Sequence, residues 1–248
     1  MSGGPSMAVL VAGAQALGLP LSPAQVEAFA VYLDELLRES PAAGLTSIGD
    51  PDEVQRRHFL EPLALGRELE RLGLLPSGGA VRAIDIGTGG GLPGLPLRIV
   101  WPSLRLTLLD AERRKVEFLS RLLERLGLGD VEVVWGRAEE VARHKGHRES
   151  YDLALARALA PLPVLAELSL PLLRVGGHLA TPKGEKVRRE VEEAQRALAE
   201  CGGQVVHLAP LPLPYEAPTP ALLVVRKVAP TPQRYPRRPG IPAKRPLR

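Results

Sequence analysis

The residues best placed for chemistry lie in a glycine-rich segment, DIGTGGGLPG at residues 85–94, which follows an apolar run at 81–84. Glycine has no Cβ, so this backbone can turn sharply at the carboxyl end of a strand and approach a ligand closely. A second acidic residue, Asp110, closes the next apolar run. Its carboxylate can accept hydrogen bonds from both hydroxyls of a ribose. Together these features predict a nucleoside-cofactor site.

Two cofactors, NAD and S-adenosylmethionine, fit a glycine-rich turn of this kind. The segment satisfies the G-x-G-x-x-G spacing of NAD sites. Against NAD, Pro93 has no N–H to offer a pyrophosphate, the Asp85 carboxylate repels one, and Leu95-Pro96 is expected to delay entry into the next helix. S-adenosylmethionine has no phosphate and carries a sulfonium and an ammonium, which a carboxylate attracts. We therefore favour S-adenosylmethionine, with NAD and a purely structural turn as alternatives.

Apolar strands alternate with helical patterns between residues 81 and 201, which is typical of a parallel, doubly wound sheet. Two further strands, at 204–208 and 221–225, follow each other without a helix and should form an antiparallel hairpin. We predict an α/β fold of the Rossmann-like class I S-adenosylmethionine-dependent methyltransferase type. Its seven-stranded sheet should be mostly parallel, with an antiparallel last strand and additional N-terminal helices. Strands are expected at 81–86, 131–135, 151–156, 177–181, 204–208 and 221–225, and a further strand, the second in the chain, should end at residue 110. Helices are expected at 113–126, 161–173 and 183–201.

Helical patterns also precede the sheet. The apolar stretch at 7–21 is expected to be a packed helix, and Ser22 should cap a second helix over 23–39. A third should begin at Asp50-Pro51 and run towards residue 72, with a kink or interruption at Pro62. The Pro-Ser-Gly-Gly sequence at 76–79 marks a boundary. We therefore expect a helical segment at 1–75, a methyltransferase domain at 76–228 and a tail at 229–248.

The positive charge of the chain is concentrated in that tail. Residues 226–248 contain eight basic and no acidic residues, and removing these eight charges from the net charge of +4 leaves about −4 for residues 1–225. Its prolines oppose helix formation, so the tail should remain extended and solvated. Such an arm suits a phosphate backbone, whereas the alternative is a solubilising tail.

Cysteine content and hydropathy limit the class of protein. The single cysteine, Cys201, excludes a disulfide framework and a cysteine-rich metal site, and it fits a reducing cytoplasm. No apolar run approaches the roughly 20 residues that span a bilayer. We expect a cytoplasmic monomer with no metal and no membrane partner.

Strand ends are the positions to examine for ligand-binding residues, because ligands of open α/β sheets bind outside the carboxyl ends of the strands. Residues 87–92 should wrap the methionine part of the cofactor, Asp110 should hold the ribose, and Ala138 and Glu139 should flank the adenine. The complete set of cofactor candidates is Asp85, Gly87, Gly89, Gly91, Leu92, Asp110, Ala111, Glu112, Ala138, Glu139 and Arg157.

The methyl acceptor can be narrowed by what the sequence lacks. Methylation of exocyclic amines commonly uses a D/N-P-P-Y/F signature after the fourth strand, where this chain reads RALAP at 157–161. Pyrimidine C5 needs a thiolate, and Cys201 lies at a helix end away from the site. Guanine N7 already presents a lone pair and needs only in-line placement against the sulfonium. Arg157 could provide that placement by binding O6, a phosphate or the cofactor.

The glycine-rich segment and several downstream motifs resemble the bacterial ribosomal RNA small subunit methyltransferase G family, also called glucose-inhibited division protein B. The matching motifs are LLD at 108–110, RAE at 137–139, ARA at 156–158, KG at 183–184, LTSI at 45–48, RHFL at 57–60 and the tail at 231–242. The resemblance implies methylation of N7 of guanine 527, in the usual numbering, in the decoding-region stem-loop of 16S rRNA.

That resemblance also implies partners and residue roles. The substrate would be 16S rRNA or the small ribosomal subunit, and Arg137, Arg157 and Lys183 would have catalytic or RNA-binding roles. His58 has either a functional or a structural role. Two other functions stay open on the same fold: a non-catalytic RNA-binding or ribosome assembly protein, and a small-molecule methyltransferase.

Overall fold

A seven-stranded sheet forms the centre of the molecule; the computed structural model describes residues 6–75 and 79–247. The strands are β1 (Val81–Ile86), β2 (Leu104–Asp110), β3 (Glu132–Trp135), β4 (Tyr151–Leu155), β5 (Leu173–Lys183), β6 (Gly203–Pro210) and β7 (Ala221–Lys227). Their order is β3-β2-β1-β4-β5-β7-β6. Strands β1 to β5 pair in parallel, whereas β7 lies antiparallel between β5 and β6. The predicted Rossmann-like methyltransferase sheet, with its closing hairpin, is confirmed.

Helices cover both faces of this sheet. They are α1 (Ala8–Ala16), α2 (Pro23–Ala43), α3 (Pro51–Val54), α4 (Glu61–Arg71), α5 (Gly94–Val100), α6 (Arg113–Leu126), α7 (Ala138–Val141), α8 (Leu162–Ser169), α9 (Val187–Glu193), α10 (Gln195–Cys201) and α11 (Ile241–Lys244). Neighbouring residues of β1 enter different apolar clusters, Ala83 on one face and Ile84 on the other, because strand side chains alternate in direction. Within residues 6–75 and 79–247, no helix has both the length and the apolarity needed to cross a membrane.

Three helical regions depart from the sequence expectation. A π-helical turn, Gln55–Leu60, separates α3 from α4 just before Pro62, where a kink or interruption was expected. Lys183 ends β5 instead of opening a helix, because it pairs with Ala221 of β7. In place of the single helix expected at 161–173, the chain forms α8 followed by a 3₁₀ turn at Leu170–Leu172. Three of the four residues of the expected boundary at 76–79 lie outside the described residues.

The C-terminal tail packs on the sheet domain, so the prediction of an extended, solvated arm is wrong. The side chains of Tyr235 and Leu247 are only 6% and 7% exposed, and both join the apolar cluster that contains α8 and α10. Arg237 forms an ion pair with Glu167 of α8. The charge count missed this arrangement because it treated the tail's cations without the acidic residues that face them.

Gly66 shows how closely α4 packs on the sheet domain. A Cβ at this position would overlap the ring of Trp101 and lie 2.7 Å from Cδ2 of Leu97. Trp101 follows α5 and is 6% exposed. Only a glycine lets the indole ring approach the α4 backbone this closely.

We expect Gly66→Ala to lower the melting temperature, although alanine is the better helix former. Overpacking should cost about 1–3 kcal/mol, and helix propensity returns roughly 1 kcal/mol or less. Gly129→Ala is the control, because a Cβ at that position meets open space. Thermal unfolding of both variants makes the comparison; an unchanged or higher melting temperature for Gly66→Ala would contradict tight packing of α4.

Candidate active site

Asp85, the second-to-last residue of β1, is a fully buried carboxylate. Its Oδ2 accepts hydrogen bonds from the Thr88 hydroxyl at 2.7 Å and from the Gly94 backbone N–H at 2.8 Å. Its Oδ1 is also buried and has no hydrogen-bond partner among the described residues. Burial raises the pKa of Asp85 to about 6, although the bonds from Thr88 and Gly94 act in the opposite direction. The carboxylate is therefore charged at neutral pH, with one oxygen unpartnered, although Asp85 lines neither of the two cavities described below.

The start of α5 explains why a pyrophosphate fits poorly here. The helix begins at Gly94, so the expectation that Leu95-Pro96 delays it is wrong; Pro96 lies in the first turn, where its missing N–H costs no intrahelical bond. The Gly94 N–H, a donor that could bind a phosphate, already binds Asp85. A carboxylate therefore occupies the position where NAD sites place negative charge.

Asp110, at the end of β2, holds the other side of the glycine loop. Its Oδ2 accepts from the Gly89 N–H at 2.8 Å and its Oδ1 from the Glu112 N–H at 2.9 Å. A carboxylate has about four lone-pair sites, so each oxygen can still accept a ribose hydroxyl. These two backbone bonds fix the carboxylate in one orientation.

A cavity of about 240 Å³ lies at the ends of β1, β2 and β3. It brings together six residues singled out in the sequence: Gly87, Asp110, Ala111, Arg137, Ala138 and Glu139. Leu159, Val164 and Leu168 supply an apolar side from the β4–α8 region. An apolar slot with a carboxylate at one end fits an adenosine, so the residues present suit the predicted cofactor.

None of the remaining cofactor candidates lines this cavity: Arg157 lines the larger cavity described below, and Asp85 lines neither. Gly89 binds Asp110, and the side chain of Glu112 is exposed and pairs with Lys115. A Cβ on Gly91 would lie 2.8 Å from the hydroxyl of Tyr32. Leu92 is buried next to this loop.

Tyr32 of α2 is a site residue that the sequence did not reveal. Its hydroxyl donates to the Gly90 carbonyl at 2.6 Å, and burial raises its pKa, so it stays protonated. The residue follows the apolar spacing of an amphipathic helix, which hid its polar contact. The helical segment therefore supports the glycine loop directly.

A second cavity, of about 820 Å³, opens beside the first and shares Leu159 and Ala160 with it. Its polar lining contains most of the basic residues of the site. Three of them, Arg57, Arg157 and Lys183, are cations, and they outnumber the two acids of the same lining, Glu61 and Glu190. His58 also lines this cavity. A net positive lining beside a nucleoside pocket suits an acidic substrate such as RNA.

Arg157, His58 and Thr46 form a chain of hydrogen bonds along this cavity. Arg157 Nη2 lies 3.1 Å from His58 Nδ1, and His58 Nε2 lies 2.6 Å from the Thr46 hydroxyl oxygen. Arginine can only donate, so Nδ1 must accept and Nε2 must carry the proton. Burial, with the Arg157 charge, lowers the pKa of His58 to about 4, which keeps it neutral.

This tautomer sets the direction of the Thr46 hydroxyl. Its oxygen accepts from His58 Nε2–H and from the Ile48 backbone N–H at 3.1 Å. Because both bonds end on the oxygen, the hydroxyl hydrogen is available to donate. Thr46 lines the larger cavity, so that donor can meet a substrate there.

Lys183 and Arg157 also shape the turn after β4. Lys183 Nζ donates to the Ala160 carbonyl at 2.7 Å and to Glu190 at 2.8 Å. Glu190 in turn accepts from the Leu162 N–H at 2.9 Å. Arg157 Nη1 donates to the Arg57 carbonyl at 2.6 Å, which ties β4 to the π-helical turn.

Comparison with known proteins gives a consistent family. A family model described as rRNA small subunit methyltransferase G matches residues 25–212. The protein of that name from Alkaliphilus metalliredigens (strain QYMF) is 41% identical over 245 residues, covering 98% of this chain and 99% of the relative. That of Roseiflexus castenholzii (strain DSM 13941 / HLO8) is 46% identical over 231 residues, covering 93% and 95%.

Solved structures with low sequence identity share the fold. A methyltransferase from Aquifex aeolicus, described as SAM dependent, has 17% identity and a TM-score of 0.50, covering 72% of this chain and 99% of that one. A mutant of MtNAS in complex with S-adenosylmethionine has 18% identity and a TM-score of 0.55, covering 82% and 79%.

Membership of a methyltransferase family confirms S-adenosylmethionine, rather than NAD, as the cofactor. The family matches extend over nearly the whole length of both chains, so the resemblance noted in the sequence is confirmed as well. The chain belongs to the rRNA small subunit methyltransferase G family.

Proposed function

We propose that this chain transfers the methyl group of S-adenosylmethionine to N7 of guanine 527 in the decoding-region stem-loop of 16S rRNA. The observation that carries the proposal is the cationic cavity that adjoins the nucleoside pocket. Its basic side chains suit an RNA substrate, and an acceptor bound there would lie beside a methyl donor in the pocket. We further propose that the protein acts as a cytoplasmic monomer on 16S rRNA or the small ribosomal subunit.

The cofactor is proposed to lie in the smaller cavity. The Asp110 carboxylate would accept the ribose hydroxyls, and Ala111, Ala138 and Glu139 would surround the adenine. Asp85 would attract the positive charges of the methionine part through its unpartnered oxygen. S-adenosylmethionine supplies a methyl group activated by a sulfonium.

Transfer to guanine N7 requires little from the protein beyond placement. The N7 lone pair forms the new C–N bond as the C–S bond breaks, and no proton has to leave first. Arg157 can bind O6 or a phosphate, and the Thr46 hydroxyl can donate to O6. This chemistry matches a cavity whose histidine is held neutral and in one tautomer.

Covalent methylation of a pyrimidine receives no support from the position of the cysteine. Cys201 is fully buried at the end of α10, and burial raises the pKa of its thiol to about 12. It belongs to the apolar cluster of α8 and α10 rather than to either cavity. A thiolate nucleophile is therefore not available at the site.

We expect the purified protein to transfer labelled methyl groups from S-adenosylmethionine to 16S rRNA or small-subunit particles that lack the modification. Chemical strand scission at N7-methylguanine should then occur at one guanine. Arg157→Ala should lower kcat/KM about a hundredfold, because misplacement of the reacting atoms is costly.

The control for this assay is Arg71→Ala, an exposed arginine of α4 paired with Glu68 on the same helix. Labelling without scission would place the methyl group on another atom. RNA binding without labelling would favour a non-catalytic RNA-binding protein, and labelling of small molecules alone would favour a small-molecule methyltransferase.

Asp85→Asn should weaken cofactor binding and stabilise the protein at the same time. The amide oxygen can keep the bonds from Thr88 and Gly94, while the buried charge is removed. A raised folded-state pKa means that the charged form destabilises the folded protein above the unfolded pKa, by up to about 3 kcal/mol near pH 7. Melting temperatures at pH 7.5 and pH 5 should show a gain that shrinks as pH falls.

The same substitution predicts a change in the pH dependence of binding. In the wild type, the S-adenosylmethionine dissociation constant should rise as pH is lowered through about 6, because Asp85 becomes protonated. The Asp85→Asn variant should bind weakly at every pH, without this rise. Isothermal titration measures both; wild-type affinity in the variant would remove Asp85 from the cofactor site.

Thr46→Val should lower kcat/KM for rRNA by about tenfold, the equivalent of one hydrogen bond to the substrate. Thr46→Ser keeps the hydroxyl and is the matched control. The S-adenosylmethionine affinity of both variants should stay at the wild-type value, and thermal unfolding separates local loss of the donor from general destabilisation. Equal activity of the valine and serine variants would show that the hydroxyl does not contact the substrate.

A further inference from the structure

Residues 229–247, here called the C-terminal segment, form one side of the smaller cavity. Gly240, Pro242 and Ala243 belong to its lining, opposite Asp110 and Ala111. The family model ends at residue 212, so these residues lie outside the part of the chain that it describes. The segment therefore reaches a cavity that the motifs of the sheet domain only partly enclose.

Arg237 anchors the segment to α8. Its backbone N–H donates to Glu167 Oε1 at 2.7 Å, and its guanidinium donates to both carboxylate oxygens at 2.6–3.1 Å. Glu167 is 0% exposed. A buried carboxylate needs such a partner, because an unpaired buried charge is strongly destabilising. The same helix supplies Val164 and Leu168 to the cavity, so the anchor and the cavity share one support.

Further contacts hold the start of the segment. Arg148 donates to the carbonyls of Thr231 at 2.7 Å and Tyr235 at 3.0 Å. Glu149 accepts from the Thr231 N–H at 2.7 Å. Arg148 can thus bind two carbonyls of the segment with one rigid guanidinium. These contacts fix the path of the backbone that leads to Arg237.

Glu139 connects the segment with the cavity itself. Its Oε1 accepts from the Gly240 N–H at 2.9 Å, and Gly240 has a φ of +78°, which favours glycine. Glu139 lies in the first turn of α7, which follows β3, and was expected to flank the adenine. Its carboxylate orientation therefore depends on a residue about a hundred positions later in the chain.

We propose that the C-terminal segment is part of the cofactor site, where Gly240, Pro242 and Ala243 form the wall that packs against the adenine. This inference rests on the cofactor placement proposed above. A proline, an alanine and a glycine backbone present an apolar surface with no bulky side chain, which suits the flat face of a purine. The basic residues of the segment then divide into the anchor, Arg237, the exposed Arg234, which pairs with Glu200, and the exposed Arg238, Lys244 and Arg245.

The test removes the anchor without leaving a buried charge. In the double variant Glu167→Gln with Arg237→Ala, the amide can keep the backbone bond and neither charge remains. We expect its dissociation constant for S-adenosylmethionine to rise at least about tenfold, mainly through faster dissociation. Gly240→Val, which strains a positive φ without touching the ion pair, should weaken binding in the same direction.

Arg238→Ala is the control for the loss of an arginine, because it removes one exposed cation next to the anchor. It should leave S-adenosylmethionine binding unchanged and weaken binding of a 16S rRNA fragment, with a shallower salt dependence. Circular dichroism establishes that each variant is folded. Wild-type cofactor affinity in the folded double variant or in folded Gly240→Val would overturn the proposal.

A second control separates this inference from the proposed function. Asp110→Ala should abolish S-adenosylmethionine binding if the cofactor lies in this cavity. If Asp110→Ala loses S-adenosylmethionine binding while the double variant and Gly240→Val bind it normally, only the proposal that the C-terminal segment packs against the adenine is rejected. Normal binding in Asp110→Ala would instead reject the placement of the cofactor.

Discussion

The burial of one carboxylate, Asp85, sets the arrangement of the cofactor site. Its Oδ2 holds the glycine loop through Thr88 and the first turn of α5 through Gly94. A Cβ on Gly94 would lie 2.9 Å from that oxygen, so the glycine at this position is a direct consequence of the buried acid. In the proposed cofactor site, this unfavourable charge would select the ligand. A sulfonium gains from it, whereas a pyrophosphate would lose.

In the proposed function, the smaller cavity binds the methyl donor and the larger one holds the acceptor. Arg157 lies close in the chain to Leu159 and Ala160, which line both cavities, and it binds His58 and the Arg57 carbonyl at the larger one. A neutral imidazole transmits the orientation of that arginine to Thr46 without adding charge. The helical segment thus contributes to both parts, through Tyr32 under the glycine loop and through the RHFL motif beside the larger cavity.

The sequence predicted those features that depend on local pattern. Strand β1 and helix α6 have the predicted bounds, and residues at the ends of β1, β2 and β3 meet in one cavity, because parallel strands deliver their carboxyl ends to one edge. Contacts between distant residues were not predictable in this way. Tyr32 has the spacing of an ordinary core residue. Lys183 lies in β5 because it pairs with β7. Cations of the tail form ion pairs with buried or half-buried acids such as Glu167. Such partners become visible only when the chain is folded.

The position of the C-terminal segment also orders events during synthesis. Chains fold from the amino end as they are made, and Arg237 and Gly240 follow all seven strands. The sheet can therefore form while the residues that complete the adenine wall are still inside the ribosome. A nascent chain would have an open cofactor cavity and retain its methyl donor poorly. Full competence would then begin only after these residues have emerged from the translating ribosome, the kind of particle whose RNA this family modifies.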